Sequence, residues 1–184
     1  MRADATARLT GWLPVEPDQQ QLRADYLAFL ADHDDAMWRE CRIGHLTASA
    51  LVMDEVRSRV LLTLHPKVGR WLQLGGHCEP GDASLLEAAR REAVEESGIA
   101  AVLISAQPLR LDRHPVPCAG AMSEHLDVQY LAIVSDDAQE VMSEESDDLR
   151  WFALDALPEG LDASVRALIE AANDGRVIGD FALQ

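Results

Sequence analysis

Glu92, Glu95 and Glu96 fall at i, i+3 and i+4 in the stretch Arg91-Glu92-Ala93-Val94-Glu95-Glu96-Ser97-Gly98-Ile99. On a helix, at about 100° per residue, the three share one arc of surface roughly 100° wide. Like charges on neighbouring turns repel, so a fold that keeps them together gains from a cation there. Ligands that are all oxygen select a hard divalent ion, magnesium or manganese, over zinc. Just upstream runs Gly75-Gly76-His77-Cys78-Glu79-Pro80-Gly81-Asp82. A backbone without Cβ can approach an ion or a ligand closely. A glycine turn feeding a carboxylate-bearing helix suits chemistry on a metal-bound anion. The bland alternative for the glutamates, a solvated acidic helix face, would stand if the glycine turn were missing.

The elements around these residues can be read from their caps. Ser84-Leu85-Leu86-Glu87 is a capping box, which starts the helix at Ser84. Gly98 fits the left-handed residue that closes a helix. The helix therefore runs about Leu85 to Ser97, with the acids near its C-terminal end. That end of the macrodipole disfavours negative charge, and residues set against local preference serve a site more often than stability. Ala88 and Ala89, one turn earlier, leave room for a bulky anion.

The stretch resembles the signature of the Nudix hydrolases, G-x5-E-x7-R-E-U-x-E-E-x-G-U, where U is apolar. Gly76-x5-Asp82 keeps the first spacing with Asp for Glu, and Arg91 to Ile99 keeps the second half in full. Eight residues rather than seven separate Asp82 from Arg91, and the extra one is best placed at Ala83, before the cap. The resemblance implies hydrolysis of a nucleoside diphosphate linked to another group. It implies that Glu92, Glu95 and Glu96 hold Mg²⁺ or Mn²⁺ together with a backbone carbonyl at Gly75 or Gly76. It also implies that Arg91 and Asp82 form a supporting ion pair, with Glu79 or Glu87 as substitutes if Asp82 falls short. A further acid from a later loop would act as base or ligand, with Glu145 preferred over Glu144 and Glu124. The competing reading is a Nudix-fold nucleotide sensor that no longer hydrolyses. A third, isopentenyl diphosphate isomerisation, needs a cysteine and a glutamate facing an allylic centre, and Cys78 lies too close to the glycine turn.

Composition bounds the partners. The net charge of −16 argues against a nucleic-acid polymer or an anionic membrane surface. It also repels a phosphate substrate, so metal ions and the local bases His65, Lys67, Arg70 and His77 would have to reverse the field. Cys41, Cys78 and Cys118 are odd in number and widely spaced, which suits neither a disulfide framework nor a zinc pair. No apolar run reaches membrane-spanning length and no signal-peptide pattern opens the chain, so a cytoplasmic location is expected. Many members of the resembled family are homodimers, and an N-terminal helix is a candidate dimer element.

The rest of the chain reads as an α/β sandwich, with a mixed, curved sheet between helices. This is also the α/β/α fold that the Nudix resemblance implies. Residues 1–40 are expected to form an N-terminal helical extension, part of the same domain or a lid, and 41–184 the domain that resembles the Nudix hydrolases. Within the extension the chain is polar at first, then helical from Pro17 to about Cys41, with Met37 and Trp38 on its apolar stripe. Strands are expected at His45–Met53, Val60–Leu64, Trp71–Leu74, Ala101–Ser105, Leu109–Leu111, His125–Val134 and Trp151–Leu154. Asp136–Asp148 holds seven acids and no base and reads as a solvated loop. Ser164–Ala172 is a helix closed by Asn173-Asp174-Gly175.

Two isolated residues carry open readings. His77 either touches a phosphate or is structural. Asp127, inside the apolar run His125–Tyr130, needs a partner, for which Arg110, His114 and His125 are the candidates. Pro115 falls sixteen residues beyond Ile99, an offset resembling a marker of ADP-ribose-cleaving members, but it shares an expected loop with Pro108 and Pro117.

Overall fold

Strand β1 (His45–Asp54) is buried along its whole length and organises the molecule. The structure, a computed structural model, describes residues 1–118, 121–143, 146–174 and 181–182. Strand β7 (Ala121–Val134) lies parallel to β1 in one register from His45↔His125 to Asp54↔Val134. On its other edge β1 is shared. Strand β2 (Arg59–His65) pairs with its C-terminal part, and β4 (Leu74–His77) with its middle. Strand β3 (Arg70–Leu72) and β8 (Asp148–Ala153) flank β2. Beyond β7 lie β5 (Leu103–Ser105), the long β6 (Arg110–Cys118) and the short β9 (Phe181–Ala182).

Alternation along β1 and β7 separates two hydrophobic layers, as the period of two requires. Leu46, Ala48, Ala50 and Val52 of β1 pack with Leu126, Val128 and Tyr130 of β7 on one face. Helices α1 (Arg2–Gly11), α2 (Pro17–Asp32) and α3 (Leu85–Ser97) supply Ala5, Leu9, Tyr26, Leu30, Leu85 and Ala89 to that same cluster. On the other face Leu51, Met53, Leu131 and Ile133 pack with Val165, Leu168 and Ile169 of α4 (Ala163–Asn173). The result is the mixed sheet between helical layers that was expected, with an N-terminal helical segment added to one layer.

Several boundaries differ from the sequence reading, each for a physical reason. Helix α2 ends at Asp32, where His33 turns extended, and does not reach Cys41. His33-Asp34-Asp35 offers side chains that compete for backbone hydrogen bonds and favour turns. Met37 therefore reaches the core from a turn, not from a helical stripe. Helix α1, where only polar chain was expected, forms on the short apolar pair Ala5 and Leu9, both fully buried.

The segment with Pro115 and Pro117, read as a loop, is the strand β6, paired with β7 through His114↔His125 and Pro115↔Glu124. Proline is tolerated there because β6 pairs with β7 alone, so its other backbone edge needs no sheet donor. Part of that edge is closed by α2, since Gln19 Oε1 accepts from Leu111 N–H at 2.7 Å and its amide donates back to Leu111 C=O. Strand β5 is two residues shorter than read, and β8 begins at Asp148, inside the acidic segment. The expected closure of α4 reaches Asp174 as its cap, with Gly175 outside the described residues.

Candidate active site

The site is assembled where α3 meets β4. Ser84 caps the helix, its hydroxyl accepting from Glu87 N–H at 3.1 Å, and Gly98 closes it at φ 69°. The caps fix the helical register, and that register turns Glu92 and Glu96 onto the glycine strand. Gly75 N–H donates to Glu96 Oε2 at 3.0 Å. A Cβ on Gly76 would stand 2.6 Å from Glu92 Oε1, so the carboxylate lies directly on that glycine's backbone. Gly75 is constrained on its opposite side, where a Cβ would meet Ser49 Cβ at 2.3 Å. Glu95, by contrast, is more than half exposed.

Arg91 ties these parts together. Its Nε and Nη2 form a bidentate pair with Asp82 at 2.9 and 3.1 Å. Nη1 donates to Glu92 and Glu95 at 2.9 and 3.0 Å, and Nη2 also reaches His77 C=O at 2.9 Å. The hydrogen bonds to Asp82, opposed by desolvation and reinforced by Glu92 and Glu95, hold the guanidinium charged well beyond the ordinary arginine range. Asp82 in turn accepts from Glu79 N–H at 2.7 Å and closes the loop before the helix. Burial would raise the Asp82 carboxyl, but Arg91 and the Glu79 N–H together hold it below the usual range. Asp82 thus reaches Arg91 despite its shorter side chain and the extra residue.

The donor set fits a hard divalent ion. Two carboxylates converge on the Gly75–Gly76 backbone, where a Cβ at Gly76 would displace Glu92, and a third stands on the same helical arc. Arg91 Nη1 already bridges Glu92 and Glu95, so this place in the fold is built to neutralise negative charge.

Other candidates fall elsewhere. Glu145 and Glu144 lie outside the described residues. Glu124 is paired with Arg113, whose Nε donates to it at 2.9 Å. Arg70 is paired with Asp162 at the start of α4, and Lys67 is exposed. Cys41 and Cys78 are buried free thiols, and burial pushes Cys78 up to about 12, unsuited to nucleophilic or acid–base work. The Cys118 side chain is outside what is described.

His77 follows Gly76, so its ring projects from the other face of β4. Its ring centroid is 5.0 Å from those of both His45 and His125. Burial, reinforced by Arg39, lowers His77 to about 4, so at neutral pH it offers a phosphate no charge. Asp127 is fully enclosed on that same face. None of its hydrogen-bond partners is among those expected, although the expected His114 acts on it electrostatically. Thr47 and Ser49 hydroxyls donate to it at 2.9 and 2.6 Å, and the Gln73 amide at 3.2 Å. Burial pushes its carboxyl up against those hydrogen bonds.

This polar half of the sheet was missed as a unit. Its signal lay in two period-two runs, His45-x-Thr47-x-Ser49 on β1 and His125-x-Asp127-x-Gln129 on β7.

A model of the NUDIX domain matches residues 44–172, well over half of the chain. The chain belongs to the Nudix family. As a member with the full carboxylate set it is a Nudix-type hydrolase. Solved Nudix structures share its fold. The MutT NUDIX hydrolase of Burkholderia pseudomallei is 26% identical, with TM-score 0.51, over 70% of this chain and 97% of that one. The NUDIX domain of Shewanella oneidensis NrtR, complexed with ADP ribose, is 24% identical, with TM-score 0.54, over 79% and 94%. A C. elegans Ap4A hydrolase is 19% identical, with TM-score 0.55, over 69% and 93%. No curated protein matches the chain.

Proposed function

We propose that this Nudix hydrolase cleaves the pyrophosphate linkage of a nucleoside diphosphate joined to a further group, with Mg²⁺ or Mn²⁺ held by Glu92, Glu95, Glu96 and the Gly76 carbonyl. The observation that carries the reading is the pair Glu92 and Glu96, folded onto the backbone of Gly75 and Gly76. When bound, the ion supplies charge neutralisation at the phosphates and a more acidic water.

The chain's own residues do the positioning. Gly75 N–H orients the Glu96 carboxylate, and Arg91 holds Glu92 and Glu95 while anchoring the Asp82 loop. Fixed geometry of this kind is worth more in a partly buried site than in water. Glu145, from the acidic segment before β8, is our candidate for the base. A nucleoside triphosphate, ADP-ribose and a nucleotide sugar all fit this reading, and the Ap4A and ADP ribose named for proteins of similar fold support a nucleotide-type substrate.

The test is a product-release assay over nucleoside triphosphates, ADP-ribose, nucleotide sugars and dinucleoside polyphosphates, with Mg²⁺ and then Mn²⁺. Glu96→Gln should lower turnover at least about a hundredfold with an unchanged melting curve. A fully active Glu96→Gln enzyme with the same metal dependence would refute the assignment. No release from any compound, alongside micromolar binding of one, would favour a sensor.

A further inference from the structure

We propose that His45, His77 and His125 form a second metal centre, for a zinc-class transition ion, on the opposite side of β4 from the carboxylates. It stands independently of the hydrolytic reading. Three strands bring the residues together by register alone. His45 and His125 are direct partners across the parallel pair β1–β7. His77 of β4 pairs with Thr47, two residues along β1 from His45 and therefore on the same face. The three rings form a nearly equilateral triangle, with centroids 5.0, 4.9 and 5.0 Å apart. One ring nitrogen of each lies within 4.8 Å of the others.

Ring packing does not account for the cluster. Both nitrogens of His45, Nε2 of His77 and Nε2 of His125 are buried without a hydrogen-bond partner. Native folds seldom leave buried polar atoms unpaired, and here they converge from three chain segments. The Cys41 backbone lies near the His45 ring and acts on it electrostatically. A shared ligand would satisfy all three rings at once.

The donors decide which ligand. An imidazole ring nitrogen carries a lone pair that ligates a metal ion. Imidazole donors suit zinc and its neighbours, whereas magnesium prefers oxygen. Three histidines also leave a fourth tetrahedral position for water or another group. The nearest further ring is that of His114, the β6 partner of His125, with centroids 5.6 Å apart. Its Nδ1 is hydrogen-bonded to Asp112 Oδ2 at 2.7 Å. That is the carboxylate–histidine pairing which commonly orients metal-bound imidazoles.

The test uses the full chain without an affinity tag, stripped with chelator and then given one equivalent of Zn²⁺ or Co²⁺ in excess Mg²⁺. The expected result is about one retained zinc per chain and the visible d–d bands of low-coordinate Co²⁺. His125→Asn and His77→Asn should weaken zinc binding at least about a hundredfold, while Glu96→Gln leaves the bands in place. X-ray absorption at the zinc edge of the unaltered protein, which needs no variant to fold, should show about three imidazole ligands. The proposal is overturned by a wild-type chain that retains no zinc and gives no Co²⁺ bands. It is equally overturned by bands that survive in both histidine variants or vanish in Glu96→Gln, or by an edge spectrum dominated by oxygen ligands.

Discussion

Arg91 directs its donors at two carboxylates of its own helix, one carboxylate of the preceding loop and one backbone carbonyl of β4. Lysine cannot reproduce that fork, because a point charge with rotatable donors makes no bidentate pair. Arg91→Lys should therefore cost about 1–2 kcal/mol, a fall in Tm of roughly 2–8 °C. It should also raise the metal concentration needed for half-maximal activity. Thermal melts and a metal-activation curve check both, and an unchanged pair of readings would show that the fork is incidental. The residues of this network are legible in the sequence because helix spacing fixes them relative to one another. Asp127 is not, since its hydrogen-bond partners Thr47, Ser49 and Gln73 come from β1 and the junction of β3 with β4, and only tertiary register chooses them over His125 or Arg110. The histidine triad is hidden for the same reason: no local spacing joins positions 45, 77 and 125.

Strand β4 separates two glycines by function although they are adjacent in sequence. A Cβ at Gly75 would meet Ser49 Cβ at 2.3 Å and the Ala48 carbonyl at 2.9 Å, both held by the paired strand β1. A Cβ at Gly76 would meet only the end of the Glu92 side chain, at 2.6 Å. Gly75→Ala should thus destabilise the fold by about 2–3 kcal/mol by prising β4 from β1. Gly76→Ala should cost about 1 kcal/mol or less, yet lower turnover at least about tenfold by displacing Glu92. Denaturant melts and steady-state rates on the two variants separate these effects, and equal losses of stability would contradict the assignment of faces. Element types with strong local signals, such as the Ser84 and Gly98 caps of α3, are readable in advance. Strand β6 is not, because its prolines speak for a loop and only its edge position, backed by Gln19 of α2, makes them compatible with a sheet.

The whole molecule carries a net charge of −16, while its proposed substrate is itself an anion. No described helix is long and apolar enough to cross a membrane. Repulsion from the distant charges is screened by salt, with a Debye length of about 8 Å at 0.15 M. At saturating Mg²⁺, raising ionic strength from about 0.01 M to about 0.15 M should raise kcat/KM severalfold. A fall would mean that a local positive field, not the overall charge, governs encounter. The sheet is central to this arrangement. One face and its helices fix the carboxylates, the other carries the histidine triad beside Asp127, and β4 takes part in both. Composition announces the acidic surface, but the division of labour between two faces emerges only when the strands pair.

The most direct test is anomalous diffraction from crystals soaked in Mn²⁺. A manganese peak bound by Glu92 and Glu96 beside the Gly76 carbonyl is the predicted result. Well-ordered glutamates turned to solvent, with no ion between them and the glycine strand, would contradict it.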